Sequence, residues 1–256
     1  MLPLLSHNKS KIYKGEKFKR NMKTLGKLLF LGAIGLASIL PMKSMAEANV
    51  SLDSIFSSRY MFYGLPFSKG NINQTMLNVS NNENNNKKNN FTGTLWDNYD
   101  AKQNRLNEVD IFMDYTRQIN NKLNLSLGAI YFRAIVEDKW KECTDWYAGI
   151  HTNFLLNPSL TYNKYTGFGK GNYTELGISK DFPGNNRFTV STSGKLGYNN
   201  RAFRDKRGFS HLEGNLKFPI TLSKKLSIIP NINYSRALAK DLKNTTWGGI
   251  NLHYDF

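Results

Sequence analysis

Histidine, serine and glutamate occur together in the second half of the chain, and this combination can perform nucleophilic catalysis. His211 lies two residues before Glu213, and Ser191 and Ser193 fall on a neighbouring segment. Such a set needs a nucleophile, a base and an orienting acid within hydrogen-bonding reach of each other. No local signature marks either serine as a nucleophile, so we predict that the chain is not an enzyme.

Other motifs resemble phosphate or metal sites only superficially. Residues 167–171 read Gly-Phe-Gly-Lys-Gly, but a phosphate-binding P-loop has Ser or Thr after its Lys and continues into a helix. Asp97 and Asp100 are typical of a loop or a polar face, and no metal-ligand spacing appears. Cys143 is the single cysteine, so no internal disulfide is expected. The sequence therefore predicts neither a cofactor nor a metal.

The N-terminal region has the three parts of a secretory signal. Basic residues precede an apolar run over 28–40, and small residues follow at Ser44 and Ala46, spaced as signal peptidase prefers. The run is shorter than the roughly 20 residues of a spanning helix. We predict cleavage after Ala46, with an uncleaved anchor as the alternative. Met22 could begin such a signal by itself, so residues 1–21 could be an upstream mis-start.

Cleavage would divide the chain into a signal peptide, 1–46, and one mature domain, 47–256; Ala48 is a second candidate for the cleavage position. The whole chain has a formal net charge of +16, and half of it lies in the signal peptide. The overall basicity is therefore weak evidence for nucleic-acid binding, and we predict no nucleic-acid partner.

The mature chain alternates apolar and polar residues between polar breaks. In 106–117, Val109 and Ile111 lie on one face, and Glu108 and Asp110 lie on the other. Successive residues of a strand point to opposite sides, so each such segment has an apolar and a polar face. The segments have about the 9–11 residues of a membrane strand, and aromatics lie near their ends. This pattern predicts an all-β fold, a transmembrane antiparallel up-and-down β-barrel.

Twelve strands are predicted, with ten or fourteen as alternatives. The segments lie near 50–63, 71–80, 91–99, 106–117, 122–132, 144–154, 158–166, 172–182, 186–198, 209–219, 224–236 and 246–256. An even number places both termini on one side, which we predict to be the periplasm of a Gram-negative bacterium. The predicted outer loops are 64–70, 100–105, 133–143, 167–171, 199–208 and 237–245. The Asn/Lys tract 81–90 is expected to be a flexible turn.

In such a barrel the polar faces line the interior, and both signs of charge occur there. Lys195 and Glu213 lie on predicted adjacent strands and are expected to be neighbours. Such groups could set the field of a narrow pore, or they could form a salt-bridged interior that fills the barrel. The pore-lining candidates are Asp53, Arg59, Glu108, Asp110, Asp114, Glu175, Lys195, His211, Glu213 and Lys217, with His253 and Asp255 on the last strand.

The predicted outer loop 199–208 is basic. It holds Arg201, Arg204, Lys206 and Arg207 against one acid, Asp205. Arginine side chains bind phosphate oxygens with paired hydrogen bonds. We therefore predict that this loop contacts lipopolysaccharide phosphates in the outer membrane; the alternative is a solvated charge cluster.

Two regions resemble known protein families. Residues 249–256 look like the terminal strand of Gram-negative barrels, whose final aromatic, here Phe256, is read by the assembly machinery. The segment 58–65, Ser-Arg-Tyr-Met-Phe-Tyr-Gly-Leu, followed by Gln74, resembles the first hairpin of the TorF-type porin family. The segments Glu108-Val109-Asp110 and Trp146-Tyr147-Ala148-Gly149-Ile150 resemble that family's middle strands. Tyr63 stands where the family pattern has Arg, so the resemblance implies architecture rather than selectivity.

A charged inner face without a catalytic constellation predicts a porin-like channel for passive diffusion of small polar solutes across the outer membrane. A plugged structural or surface-interaction barrel is the first alternative, and inward-folded ordered loops would favour it. A lipid-modifying barrel enzyme that depends on His211 is the second.

Overall fold

The computed structural model describes residues 48–68, 70–81, 88–185 and 187–256, so the predicted signal peptide and most of the Asn/Lys tract lie outside it. The strands are β1 (Asn49–Ser57), β2 (Met61–Phe62), β3 (Leu65–Pro66), β4 (Ile72–Ser80), β5 (Asn89–Asp100), β6 (Arg105–Asn120), β7 (Leu123–Val136), β8 (Lys139–Thr152), β9 (Ser159–Gly167), β10 (Gly171–Asn185), β11 (Phe188–Asn200), β12 (Arg207–Lys217), β13 (Ile220–Thr221), β14 (Leu226–Ala237) and β15 (Thr245–Asp255). Within these ranges, no helix has the length and hydropathy that a membrane-spanning helix requires.

The wall of the closed antiparallel barrel has twelve strand positions, because β13 continues β12 between β11 and β14; β2 and β3 form a separate two-stranded sheet. Each wall strand pairs with the next one along the chain, and the ring closes where β1 pairs with β15. At this closure Asp53 lies opposite His253, and Leu52 lies opposite Tyr254. The predicted twelve-stranded, antiparallel, up-and-down barrel is therefore confirmed.

The alternation in the sequence separates the two faces of the wall. Large apolar side chains are exposed on the outer surface, including Leu127 at 58 %, Trp146 at 60 % and Leu176 at 53 %. In the described residues these side chains point away from the lumen. Lipid can cover this outer surface without leaving backbone polar groups unpaired, because the strands of the closed wall pair with each other. The inner face carries the polar partners, such as Asp110 and Asp145, which are 1 % and 0 % exposed.

The barrel has two distinct ends. The terminus end holds the first wall residue, Asn49, and the last, Asp255. The loop end holds the connections 58–71, 101–104, 137–138, 168–170, 201–206 and 238–244.

Two predicted boundaries were wrong. The first predicted strand, 50–63, ends in the wall at Ser57, because the chain then turns into the lumen. The predicted loop 133–143 is only a two-residue turn, so Cys143 lies in β8 and faces inward at 2 % exposure.

Candidate functional site

The segment after β1 folds back into the barrel as a hairpin. Strands β2 and β3 pair around Tyr63 and Gly64, whose φ angles of 51° and 78° are both in the left-handed region. Two central residues with positive φ are typical of the tight turns that join antiparallel strands. The base of the hairpin is fixed by Phe67 N, which donates to Tyr60 O at 2.9 Å, and by Tyr60 N, which donates to Ser68 Oγ at 2.7 Å. We call residues 58–68 the plug hairpin.

The tip of the plug hairpin contacts three wall strands. The ring of Tyr63 stacks on Tyr173 of β10 with centroids 3.6 Å apart, and its hydroxyl hydrogen-bonds with the hydroxyl of Tyr165 of β9. Gly64 lies against His211 of β12: a Cβ at Gly64 would be 2.7 Å from His211 Nδ1. Only glycine therefore fits at the tip, both for its φ angle and for the space available.

The flanks of the plug hairpin extend this aromatic contact across the lumen. Phe62 packs edge-on against Phe132 of β7 and against Phe203 of the 201–206 loop, with centroids 5.8 and 5.3 Å apart. Tyr60 packs against Trp96 of β5 at 5.5 Å. Aromatic pairs of this kind each contribute about 0.5–1.5 kcal/mol beyond the area that they bury. The hairpin thus contacts β5, β7, β9, β10 and β12, and it divides the lumen near the loop end.

Buried carboxyl groups lie behind the plug hairpin. Glu108, Asp110 and Asp145 face inward and are 4 %, 1 % and 0 % exposed. The rings of Tyr60 and Tyr165 lie near Glu108 and Asp145, but neither oxygen of Asp145 has a hydrogen-bond partner among the described residues, and nor does Oδ1 of Asp110. In the described part of the chain, no Lys or Arg nitrogen lies within 4.0 Å of these three carboxylates. The plug hairpin therefore covers uncompensated acidic groups.

A polar chamber lies between the plug hairpin and the terminus end. It has a volume of about 440 Å³, and its lining includes Arg59, Gln74, Ser193, Lys195, Glu213 and Lys217. Lys195 lies opposite Glu213 in the β11–β12 register, as predicted, and its Nζ is 3.2 Å from Glu175 Oε1. The Lys195 side chain keeps 45 % of its surface exposed although the barrel wall surrounds it. Water therefore reaches these charges.

A second cavity lies at the terminus end. This cavity has a volume of about 710 Å³, and its lining includes His253 and Asp255. Asp53 accepts hydrogen bonds there from Asn251 Nδ2 at 2.7 Å and from His253 Nδ1 at 2.9 Å. Asp114 accepts one from the hydroxyl of Tyr147 at 2.7 Å. These two carboxylates belong to hydrogen-bonded networks of the wall.

The structure divides the predicted pore-lining residues into three groups. Arg59, Lys195, Glu213, Lys217, His253 and Asp255 line the chamber or the second cavity. Asp53, Asp114 and Glu175 face inward and are tied to neighbouring side chains. Glu108, Asp110 and His211 also face inward, but the plug hairpin covers them and they are buried in this conformation.

The predicted catalytic set is not assembled. Ser191 and Ser193 lie opposite Lys217 and Asn215, whereas His211 lies opposite Gly197. Ser193 is four residues along β11 from Gly197, a distance of about 13 Å. The serine that His211 hydrogen-bonds is Ser210, whose Oγ is 3.0 Å from His211 Nδ1.

Ser210 could not be found from strand alternation, because a register shift between Gly197 and Tyr198 turns two consecutive β12 residues inward. Glu213 Oε2 is 3.9 Å from His211 Nε2. Ser210 and His211 are 0 % and 2 % exposed, so no substrate reaches them in this conformation.

The basic loop covers the other side of the plug hairpin. A cavity of about 1070 Å³, which we call the vestibule, opens there between the hairpin and the connections at the loop end. Arg204 donates to Asp241 at 3.1 and 2.6 Å and is 7 % exposed. These hydrogen bonds hold the pKa of the Asp241 carboxyl below its usual range, so the pair is ionised at neutral pH. Lys206 Nζ lies 3.9 Å from the same carboxylate.

Metal coordination finds no support in this geometry. Across residues 48–68, 70–81, 88–185 and 187–256, no group of three or more His, Cys, Asp or Glu side chains is arranged to hold an ion.

Comparison with known proteins identifies the fold. No family description matches the chain, and no curated protein sequence does. Among solved structures, the KdgM porin is 14 % identical with a TM-score of 0.51, covering 80 % of this chain and 99 % of that protein. An outer-membrane channel from Pseudomonas putida F1 is 9 % identical with a TM-score of 0.55, covering 82 % and 95 %.

LpxR from Salmonella typhimurium is similar to the same degree, with 7 % identity and a TM-score of 0.55 over 80 % of this chain and 100 % of that protein. At such identities the likeness concerns the fold. The chain has the twelve-stranded barrel fold of outer-membrane porins and channels.

Proposed function

We propose that the protein is a porin-like outer-membrane channel for small polar solutes and that the plug hairpin narrows or closes it near the loop end. The observation that carries this proposal is the water-accessible chamber with charges of both signs below the hairpin. Eight-stranded barrels fill their interior with side chains, whereas this wider barrel keeps polar space below the hairpin. The barrel fold shared with the KdgM porin and the P. putida channel supports the same class.

Orientation and family membership belong to the same proposal. We place both mature termini in the periplasm and the loop end outside, since the chain termini of even-stranded barrels of this kind face the periplasm. Membership of the TorF-type family, export through the signal peptide and recognition of Phe256 by the assembly machinery stay predictions from the sequence.

A plugged barrel without transport is the second candidate function. The packing of the plug hairpin on Phe132, Tyr165 and Tyr173 favours it, because these contacts fill the lumen with apolar surface. The two candidates differ in whether the hairpin leaves the lumen at all.

Planar-bilayer recording of the refolded mature barrel tests the proposal. We expect small channel steps or brief openings from the unaltered protein, because an aromatic plug leaves little room for hydrated ions. Silence across all voltages, both for the unaltered protein and for a variant with a shortened plug hairpin, would eliminate the channel and leave the plugged barrel.

Substitution of Lys195 by Gln is expected to raise the cation preference of the open channel. It removes the positive charge that lies between Glu175 and Glu213 and leaves both carboxylates uncompensated in the chamber. Fixed charges in a narrow lumen select counter-ions, so we expect the cation-to-anion permeability ratio to rise about twofold or more. The measurement is the reversal potential across a KCl gradient, in the background with the shortened plug hairpin.

Lys164→Gln is the matched control. Lys164 lies on β9, two strands away from Lys195, opposite the outward-facing Trp146, so its substitution removes the same charge from the outer surface. An equal shift in reversal potential for the two substitutions, or no shift for Lys195→Gln, would contradict the placement of Lys195 in the conduction path.

A further inference from the structure

The vestibule is a cavity built from two chemically different walls. One wall is basic and comprises Lys170, Arg201 and Arg204 from the connections that precede β10 and β12, and Arg207 at the start of β12. The opposite wall is apolar and includes Leu65 and Pro66 of the plug hairpin and Ile135 and Val136 of β7. Its volume of about 1070 Å³ can hold a molecule the size of a disaccharide.

The basic wall carries a surplus of positive charge. Arg204 is compensated by Asp241 through two hydrogen bonds. Within the described residues, Lys170, Arg201 and Arg207 form no ion pair within 4.0 Å, and Asp205 is the single acidic residue in the lining. A concave surface with three uncompensated cations raises the local concentration of anions.

The arrangement of the basic wall is fixed by close packing. Asn199 Nδ2 donates to Lys206 O at 2.8 Å across the base of the 201–206 loop. A Cβ at Gly171 would collide with the backbone of Arg201, and one at Gly169 would collide with the ring of Phe203. The glycines of the Gly-Phe-Gly-Lys-Gly segment therefore allow two connections to pack directly on each other. The side chain of Arg204 is only 7 % exposed, and its guanidinium group is hydrogen-bonded to Asp241.

We propose that the vestibule binds an organic anion with at least two acidic groups and a carbon face, such as an acidic saccharide. The acidic groups would pair with Arg201 and Arg207, since guanidinium groups form paired hydrogen bonds with carboxylates. The carbon face would lie on Leu65, Pro66 and Ile135. This inference names the solute class of the proposed channel and places its first contact directly above the plug hairpin.

Isothermal titration calorimetry on the detergent-folded barrel tests this binding site. The probe is a uronic-acid disaccharide with two carboxylates, and maltose is its uncharged counterpart. We expect the disaccharide diacid to bind and maltose not to bind. The double substitution Arg201→Gln/Arg207→Gln should weaken binding of the diacid about tenfold or more, because two charge-assisted contacts are lost.

Lys224→Gln/Lys225→Gln removes the same charge from an exposed turn at the terminus end and should leave the affinity unchanged. Absence of diacid binding, equal binding of maltose, or equal loss in the two double variants would each overturn the proposal.

A lipid phosphate could present the same anionic chemistry to Arg201 and Arg207. A second titration therefore uses micelles that carry lipid A. Arginine-dependent binding of lipid A without binding of the diacid would overturn the soluble-anion proposal in favour of lipopolysaccharide contact. Because calorimetry needs no transport, diacid binding by a barrel that stays silent in bilayers, with the full and with the shortened plug hairpin, would disprove the channel and leave the binding site standing.

Discussion

Replacement of residues 61–66 by Asn-Gly is expected to raise the single-channel conductance about tenfold or more, because it removes the part of the plug hairpin that crosses the lumen. The exchange deletes Phe62 and Tyr63 and thus their contacts with Phe132 and Tyr173. Asn-Gly forms the two-residue turn that closes antiparallel strands. The pairing of Phe67 N with Tyr60 O then becomes the last rung of the shortened hairpin.

Measurement of this effect needs a check that the wall is intact. The twelve wall strands keep all their pairings, since β2 and β3 pair only with each other. The variant should therefore show the same heat-dependent shift in electrophoretic mobility as the unaltered barrel. A folded variant whose conductance equals that of the unaltered protein would contradict the role of the plug hairpin as the barrier.

Gly64→Ala is expected to release the plug hairpin from the wall. The added Cβ would lie 2.7 Å from Nδ1 and 2.8 Å from Cγ of His211. His211 has little freedom to move away, because Ser210 Oγ is 3.0 Å from its Nδ1 and Tyr173 stacks parallel to its ring. A left-handed φ adds about 1–2 kcal/mol of strain for alanine. We expect longer and more frequent channel openings and increased proteolysis of the hairpin.

Gly208→Ala separates the clash from the backbone strain. Gly208 also has a positive φ, 126°, but a Cβ there would meet no atom within 4 Å. It should therefore lower the thermal stability without changing the openings. If Gly208→Ala opens the channel as much as Gly64→Ala does, the contact with His211 is not what holds the hairpin.

The wall could be predicted because each strand faces two solvents. Lipid outside and water inside impose strict alternation, so Val109 and Asp110 are assigned to opposite faces by sequence alone, and the structure places them there. Strand number follows from the same alternation, interrupted at each turn. These rules depend only on local sequence.

The plug hairpin could not be predicted in this way. Tyr60 and Phe62 alternate with other residues as in a wall strand, but their rings pack on residues far along the chain rather than on lipid. A signal was available in retrospect: Phe132, Tyr165 and Tyr173 occupy inward positions of their strands, where polar residues are expected. Aromatic rings on the wet face of several strands indicate an apolar partner inside the barrel.

The same hairpin determines which of the predicted site residues are buried. The alternation of residues along a strand correctly predicts that His211 and Glu108 face inward. Their burial depends on the hairpin that packs in the lumen, and local sequence does not predict this tertiary contact. Lys195 and Glu213 lie on the terminus side of the hairpin and line the chamber. They are opposite each other on β11 and β12, as predicted.

The role of the plug hairpin as the barrier is tested most directly by the accessibility of one lumen position from the two sides of the membrane. Ser193 lines the chamber on the terminus side of the plug hairpin, so Ser193→Cys in a Cys143→Ser background places a single thiol there. In proteoliposomes of known orientation, a membrane-impermeant thiol reagent should reach this thiol only from the terminus end, and from both ends after residues 61–66 are replaced by Asn-Gly. Labelling from both ends with the full hairpin present, or from the terminus end alone after the replacement, would contradict the proposal that the plug hairpin closes the lumen.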